Sequence, residues 1–363
     1  MITNDLETFL QQRKEQHLYR SRQINDNKQL IFCSNDYLGL SIQNIQLNQQ
    51  IGSTAAHLVC GHHDIHHELE LALAKFTGYK KTLLFSTGYM ANLGVISALM
   101  GRNDAVFLDK LSHASLVDGA ILSRAKLFRY PHNDLQVLEN QLKKSSFNRK
   151  LIISDGVFSM DGDLAKLPQL IELSKKYSAW LMIDDAHGLG VLGKNGRGTL
   201  EFYQQNQQDI SILVGTLGKA FGTFGAFVAG SETLIEYLIQ TARSYIYTTA
   251  LPPIVAQATL CNLETAQTEN WRREKLFENI NYFKKNTQHL PFIPSDTPIQ
   301  PLTCESNEQA MNANKYLKEN NIWVSAIRPP TVPTPRLRIT LTTTHSFENI
   351  DFLVSKLNDF FTS

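Results

Sequence analysis

Lys219 lies in the run Val214-Gly-Thr-Leu-Gly-Lys-Ala-Phe-Gly222, behind the short apolar stretch Ser211-Ile-Leu-Val-Gly215, and glycines on both sides leave its amine room to meet a carbonyl. A lysine among glycines is a weak signal alone, since most lysines are solvated charges and glycine turns are common at strand ends. A second motif strengthens it. Asp184-Asp-Ala-His187 ends another apolar run, Ala179-Trp-Leu-Met-Ile183. An ionised Asp184 against a pyridine nitrogen would keep that nitrogen protonated, and His187 three residues on could bond a phenolic oxygen on the same ring. An amine for an aldehyde and a carboxylate for a pyridinium are the protein groups that pyridoxal 5'-phosphate (PLP) chemistry requires.

Further candidates share that placement after a strand. Ser86-Thr-Gly88-Tyr89 runs from an apolar stretch into a helical pattern, a cradle whose N–H groups and dipole favour phosphate, although most such patterns are ordinary turns. Thr216 and Thr248 or Thr249 could add hydroxyl donors. His113, in Asp109-Lys-Leu-Ser-His-Ala-Ser115, could stack on a flat cofactor or simply cap a helix. Arg336-Leu-Arg338 has strand alternation, which would put both guanidinium groups on one side to grip a carboxylate or to form edge salt bridges. In His62-His63-Asp-Ile-His66-His67-Glu68 the i, i+4 pairs could hold a metal, but the H-E-x-x-H order is absent. A solvated helix start with one buried, functional histidine is expected there, and no metal.

The elements that must position these residues alternate regularly. Seven β-rich runs are predicted at Thr82–Ser86, Ala105–Asp109, Lys126–Tyr130, Lys150–Asp155, Trp180–Asp184, Ser211–Gly215 and Gly225–Ala229. Helices are predicted at 68–77, Met90–Met100, Leu135–Lys143 and Leu167–Tyr177. The pattern predicts an α/β large domain with a mostly parallel seven-stranded sheet covered on both faces. Ser86, His113, Ser159, Asp184 and Lys219 all fall just beyond predicted strand ends, where ligand crevices of open α/β sheets lie. The expected organisation is an N-terminal arm over 1–45, a large domain over 46–265 and a smaller C-terminal α+β domain over 266–363. The arm starts with a helix in 4–20. The small domain contains a helix at 306–320, strands at Ile322–Ile327 and Arg336–Leu341, and a last helix at 346–361.

With 363 residues and 42% hydrophobic content, the chain can bury a sizeable core. A formal charge of +1 builds in no attraction to nucleic acid or an anionic membrane. Four scattered cysteines, Cys33, Cys60, Cys261 and Cys304, suit reduced thiols. The charged N-terminus does not match a signal peptide, and no run reaches the roughly 18 apolar residues of a membrane span, so a soluble cytoplasmic protein is expected.

Asn35-Asp-Tyr-Leu-Gly39, Asp109–Ser115, Gly156-Val-Phe-Ser-Met-Asp-Gly162, Asp184–Gly190, Gly215–Gly222 and Arg328-Pro-Pro-Thr-Val-Pro333 together resemble the α-oxoamine synthases, fold-type I PLP-dependent transferases, from about residue 18 to the end. The resemblance implies that Lys219 is the Schiff-base lysine, that Asp184 and His187 meet the ring nitrogen and oxygen, and that His113 stacks on the ring. It implies that Gly88, Tyr89, Ser159 and Thr216 help to hold the cofactor. It places Arg20, with Arg22 close by, Asn35, Thr331 and Arg338 at the substrates, Arg338 on the amino-acid carboxylate. Within the family the similarity is greatest to C-acyltransferases of biotin biosynthesis that join L-alanine to a pimeloyl group carried by coenzyme A or acyl carrier protein. A glycine C-acetyltransferase-like enzyme, a transaminase and a catalytically inactive PLP-fold binding protein are the competing readings. A homodimer is implied by the family. Two departures bear on substrate fit: Thr54 and Ala55 stand where relatives carry glycines, and the loop after Pro333 is about two residues short.

Overall fold

The structure, a computed structural model, describes residues 2–16, 18–25 and 28–362. The chain divides into two compact units, a larger one of Asp36–Ser159 and Leu164–Arg273 and a smaller one of Met1–Asn35, Met160–Asp163 and Glu274–Ser363. The strands in chain order are β1 (Leu30–Ile31), β2 (Lys81–Phe85), β3 (Ala105–Asp109), β4 (Lys126–Tyr130), β5 (Lys150–Asp155), β6 (Trp180–Asp184), β7 (Ile212–Thr216), β8 (Ala226–Gly230), β9 (Ile299–Thr303), β10 (Ile322–Trp323), β11 (Ser325–Ile327) and β12 (Arg336–Thr340).

In the larger unit β2 to β8 form one seven-stranded sheet in the order β2-β8-β7-β6-β5-β3-β4. Five strands, β7, β6, β5, β3 and β4, run parallel, and β8 is antiparallel to both of its neighbours. The cause is local. Parallel neighbours need a crossover of a dozen or more residues, and the segment 217–225 between β7 and β8 is too short for one, so the chain turns straight back. That tight return carries Lys219.

Burial follows strand alternation. Val106, Leu108, Leu151, Ile153, Ile212, Val214 and Val228 join Ala91, Val95 and Ile96 of the helix Gly88–Leu99 in one cluster. The residues between them, including Phe107, Ile152, Leu213 and Phe227, are buried on the opposite face. A parallel sheet covered on both sides reads as continuous apolar runs, which is why all seven strands are recognisable in the sequence to within one residue. The helix at 68–77 starts earlier, at Asp64, and Leu251-Pro252 separates short helices over Glu232–Thr241 and Arg243–Ile246 from Pro253–Thr268. A helix over Trp271–Asn286 has no counterpart in the expectations, because its charged residues mask the apolar stripe of Leu276, Ile280 and Phe283.

In the smaller unit β11, β12 and β9 form an antiparallel sheet, and β1 pairs in parallel with β10. The single strand expected over Ile322–Ile327 is therefore two short ones, divided at Val324 between different sheets. Ser306 caps the helix Asn307–Glu319, and Ser346 and Asn349 make a capping box for Phe347–Phe361. Among the described residues no helix is long and apolar enough to cross a membrane.

His345 fastens this unit. Its ring stacks on Phe32 with centroids 4.0 Å apart, Nε2 donates to Ile31 O at 3.0 Å, and Nδ1 accepts from Thr342 N at 3.1 Å. Burial pushes its pKa down to about 4, opposed by the bond to Ile31. Because the folded value lies below the ordinary 6.5, the stabilisation is present above pH 6.5 and is lost as pH falls through 4. The loss amounts to about 3 kcal/mol from this group. Urea unfolding between pH 7 and pH 4 should show a slope attributable to His345, and the slope should shrink in His345→Gln.

Candidate active site

The return between β7 and β8 is held by backbone bonds: Leu217 N to Gly225 O at 2.9 Å, Thr223 N to Leu217 O at 2.9 Å and Gly222 N to Lys219 O at 2.8 Å. Gly222 sits at φ 65°, where a side chain is strained, and a Cβ there would run into the backbone of Leu40 and Ser41. The turn presents a half-buried Lys219, whose Nζ lies 2.9 Å from His187 Nε2. His187 Nδ1 in turn lies 2.7 Å from the hydroxyl of Tyr37. The result is an amine, an imidazole and a phenol in one hydrogen-bonded chain, drawn from three distant segments.

Asp184 and Asp185, adjacent at the end of β6, point to opposite sides as strand geometry demands. Asp185 is enclosed: its Oδ2 accepts from Thr199 N at 2.7 Å, and Gly156, Gly188 and Gly198 pack so closely that a Cβ on any of them would strike its carboxyl group. Burial raises its pKa to about 7. Asp184 faces the polar side, where Asn92 Nδ2 donates to its Oδ2 at 2.7 Å and Ala186 N to its Oδ1 at 3.2 Å. Asn92 also donates to Ser115 Oγ at 2.9 Å, and Ser115 Oγ lies 2.7 Å from His113 Nδ1. His113 N donates to Asp155 Oδ2 at 3.2 Å. Burial, with the Asp184 charge beside it, holds Asp155 well above the usual carboxylate range. Burial also lowers the His113 pKa, against the pull of Asp184, so its imidazole is held toward the neutral form. His113 is at the same time the N-cap of the helix Ala114–Ser123, so the capping role considered for it is real and coexists with its place beside Asp184.

Thr87 caps the helix Gly88–Leu99 by accepting from Met90 N at 3.1 Å, and space beside Gly88 is open. The first N–H groups of a three-turn helix behind an open glycine make an anion seat. Thr216 Oγ1 accepts from Gly218 N at 3.3 Å and donates to Gly225 O at 3.1 Å, which places it at the base of the Lys219 turn. Tyr89 bonds Asp118 through its hydroxyl, and its ring meets the edge of His113 at 6.3 Å. Ser159 and Thr248 are half-buried, and Ser86 Oγ bonds Thr249 O at 3.3 Å.

The expected substrate residues lie in the smaller unit. Asn35 Oδ1 accepts from Arg338 Nη2 at 3.1 Å. Of the two alternatives for Arg336 the structure takes the salt bridge: it is buried in an ion pair with Asp161 and is not available for a ligand. Arg20 and Thr331 line one cavity of about 310 Å³ together with Arg13, Tyr19 and Arg328. Burial and the neighbouring Arg20 charge lower the Arg328 pKa. Thr54, in the larger unit, holds φ 63°, a conformation that glycine takes freely and that costs a β-branched residue about 1–3 kcal/mol.

Tyr37, Asn92, Ser115 and Asp155 had no assigned role in the sequence reading. Each is 0–4% exposed and polar, or phenolic, within an apolar surrounding. A buried asparagine on the helix behind the phosphate-like turn was the one visible signal.

The residues of the larger unit fit PLP: an amine, a carboxylate with lone pairs to spare, a neutral imidazole and an open helix N-terminus. Comparison with known proteins agrees. Residues 27–357 match the aminotransferase class I and II family. The 8-amino-7-oxononanoate synthase of Saccharophagus degradans is 51% identical over 98% of this chain and 96% of its own length, and that of Methylococcus capsulatus is 51% identical over 99% and 98%. Among solved structures, serine palmitoyltransferase from S. paucimobilis with PLP bound superposes with a TM-score of 0.89 at 27% identity, over 98% of this chain and 96% of that one. The 8-amino-7-oxononanoate synthase of Francisella tularensis gives a TM-score of 0.80 at 34% identity, over 92% and 99%. The chain belongs to the aminotransferase class I and II family and, within it, to the 8-amino-7-oxononanoate synthases.

Proposed function

We propose that the protein is a PLP-dependent C-acyltransferase that condenses L-alanine with a pimeloyl thioester, releasing the thiol and carbon dioxide and forming 8-amino-7-oxononanoate for biotin biosynthesis. The Lys219–His187–Asp184 constellation carries this reading. When bound, PLP supplies an aldehyde that joins amines covalently and a pyridinium ring that withdraws electrons from the bond being broken.

The remaining work falls to the chain. Lys219 Nζ forms the covalent anchor, and as a free amine it takes the proton from the alanine Cα. His187, with Nδ1 fixed by Tyr37, keeps Nε2 directed at the lysine end of the site. Asp184, steadied by Asn92, would hold a proton on the ring nitrogen, and His113, beside Asp184, would lie against the ring. Gly88, Tyr89, Ser159, Thr216 and Thr248 would hold the phosphate end. Arg338, oriented by Asn35, takes the alanine carboxylate. Arg20 and Thr331 line a cavity rich in guanidinium groups, suited to the free carboxylate of a pimeloyl chain. The protein works as a cytoplasmic homodimer in this reading.

The test is thiol and carbon dioxide release by the PLP-loaded protein with L-alanine and pimeloyl thioesters of coenzyme A and of acyl carrier protein, beside glycine with acetyl-CoA. Release with L-alanine and pimeloyl donors at least ~10²-fold above the glycine pair is expected. Preference for the glycine pair, or amino transfer without thiol release, would overturn the assignment. The relative rates of the two pimeloyl donors identify the carrier, and light scattering reads the oligomeric state.

A further inference from the structure

Five histidines, His57, His62, His63, His66 and His67, gather at the start of the helix Asp64–Thr77, and the proposed reaction uses none of them. Two overlapping triads have donor atoms within 4.8 Å of one another: His57, His62 and His66, and His62, His67 and Glu70. Hydrogen bonds separate the two. His66 is buried, its Nε2 donates to Leu251 O at 2.6 Å, and its Nδ1 accepts from His63 N at 3.0 Å. Both ring nitrogens are spent, so His66 has no lone pair for a metal.

The outer triad keeps its lone pairs. His67 and Glu70 are three residues apart on one helix face, and His62 stands just ahead of the N-cap His63. Glu70 uses Oε1 to accept from Leu84 N at 3.0 Å, which leaves Oε2. His62 Nδ1 lies 2.9 Å from His57 Nδ1, and His57 is itself stacked on Tyr245 with centroids 5.1 Å apart and planes 9° from parallel. With the proton on His62, that bond fixes its tautomer and leaves Nε2 as a ligand. Metal-bound imidazoles ordinarily donate their other N–H to such an acceptor.

We propose that His62, His67 and Glu70 form a site for a borderline divalent ion such as Zn²⁺, with water in the fourth position. Two imidazoles and a carboxylate are a known zinc set, whose donors stand roughly 3.3 Å apart when tetrahedral. His67 is exposed, so its rotamer adjustment closes the distance while His62 keeps its bond to His57. The ion would tie the turn His57–Gly61 to the helix. Just ahead of that turn, Ala55 O accepts from Ala250 N at 3.0 Å and Ala56 bridges Thr249, so the clamp would also brace the segment that carries Thr248.

The experiment titrates tag-free, PLP-loaded Cys60→Ser protein with Co²⁺, following heat and visible absorption. The substitution removes the exposed thiol beside His62. One saturable equivalent with a d–d band is expected. His67→Ala and Glu70→Gln should each weaken it by at least ~10-fold, while His63→Asn, which keeps a good capping residue, should leave it unchanged. His67 is exposed, and the amide oxygen introduced by Glu70→Gln still accepts from Leu84 N, so both variants should fold, as urea midpoints would verify. Equal affinity in the parent and both ligand variants, or no saturable binding in the parent, overturns the site.

Discussion

Lys219→Ala is expected to lower turnover of L-alanine with a pimeloyl thioester by at least ~10⁴-fold while the protein stays folded. In the proposed reaction the side chain supplies both the amine that anchors the cofactor and the base that moves the Cα proton, and the neighbouring His187 is already committed to Tyr37 through Nδ1. The turn itself does not depend on the lysine, because Leu217, Gly222 and Thr223 hold it through backbone bonds. Melting temperature should therefore barely change, and PLP should still bind through Asp184, His113 and the helix at Gly88, without the covalent link. Two further variants separate the possible reasons for a loss. Lys219→Arg keeps a positive charge but offers a guanidinium that does not form carbonyl adducts, so it should be as inactive as alanine. A small primary amine added to Lys219→Ala should restore part of the proton transfer. Turnover in Lys219→Ala within tenfold of the parent would remove Lys219 from the mechanism.

What the sequence made legible was whatever depends on local order. Apolar runs gave the strands, and residues just past their ends gave Lys219, Asp184 and His113, because strand-end positions in an α/β sheet share one crevice. The relations across the chain were not legible. Tyr37 and His187 are 150 residues apart, and no local pattern says that a phenol will meet that imidazole. Asn92 shows only as a polar residue on a helix otherwise built to pack, and its bond to Asp184 spans 92 positions. The two aspartates at the end of β6 part by strand alternation. Asp184 reaches Asn92, and Asp185 is enclosed by glycines whose missing Cβ atoms make room for its carboxyl group. Arg336 and Arg338 share a face in sequence logic, yet Asp161, from a four-residue piece of the smaller unit, claims Arg336. The histidine cluster was hard to read for a related reason: the grouping of His62 with His67 and Glu70 depends on the turn before the helix and not on helical period alone.

Asp184→Asn is expected to cost ~10²–10³-fold in kcat with little change in stability. The amide is isosteric and its oxygen can still accept from Asn92, so the local packing survives at the loss of the longer bond from Ala186 N. In the proposed site, what disappears is a negative charge opposite the ring nitrogen, and with it the group that would hold a proton there. The neighbouring acid makes this a sharper test than usual. Asp155 is held well above the carboxylate range first by burial and then by the Asp184 charge, so neutralising Asp184 lets Asp155 ionise more easily. Burial, the larger cause, persists in the variant, and any charge that Asp155 gains sits on a carboxylate bonded to His113 N. If charge anywhere in the pocket were enough, Asp184→Asn would regain activity as pH rises through the lowered Asp155 pKa. If the charge must sit on the atom facing the ring nitrogen, activity stays low across the whole range, while the carboxyl stretch of Asp155 in difference infrared spectra shows that it has ionised. The second outcome is expected, because a charge-assisted hydrogen bond acts over one contact distance and is not replaced by a displaced charge.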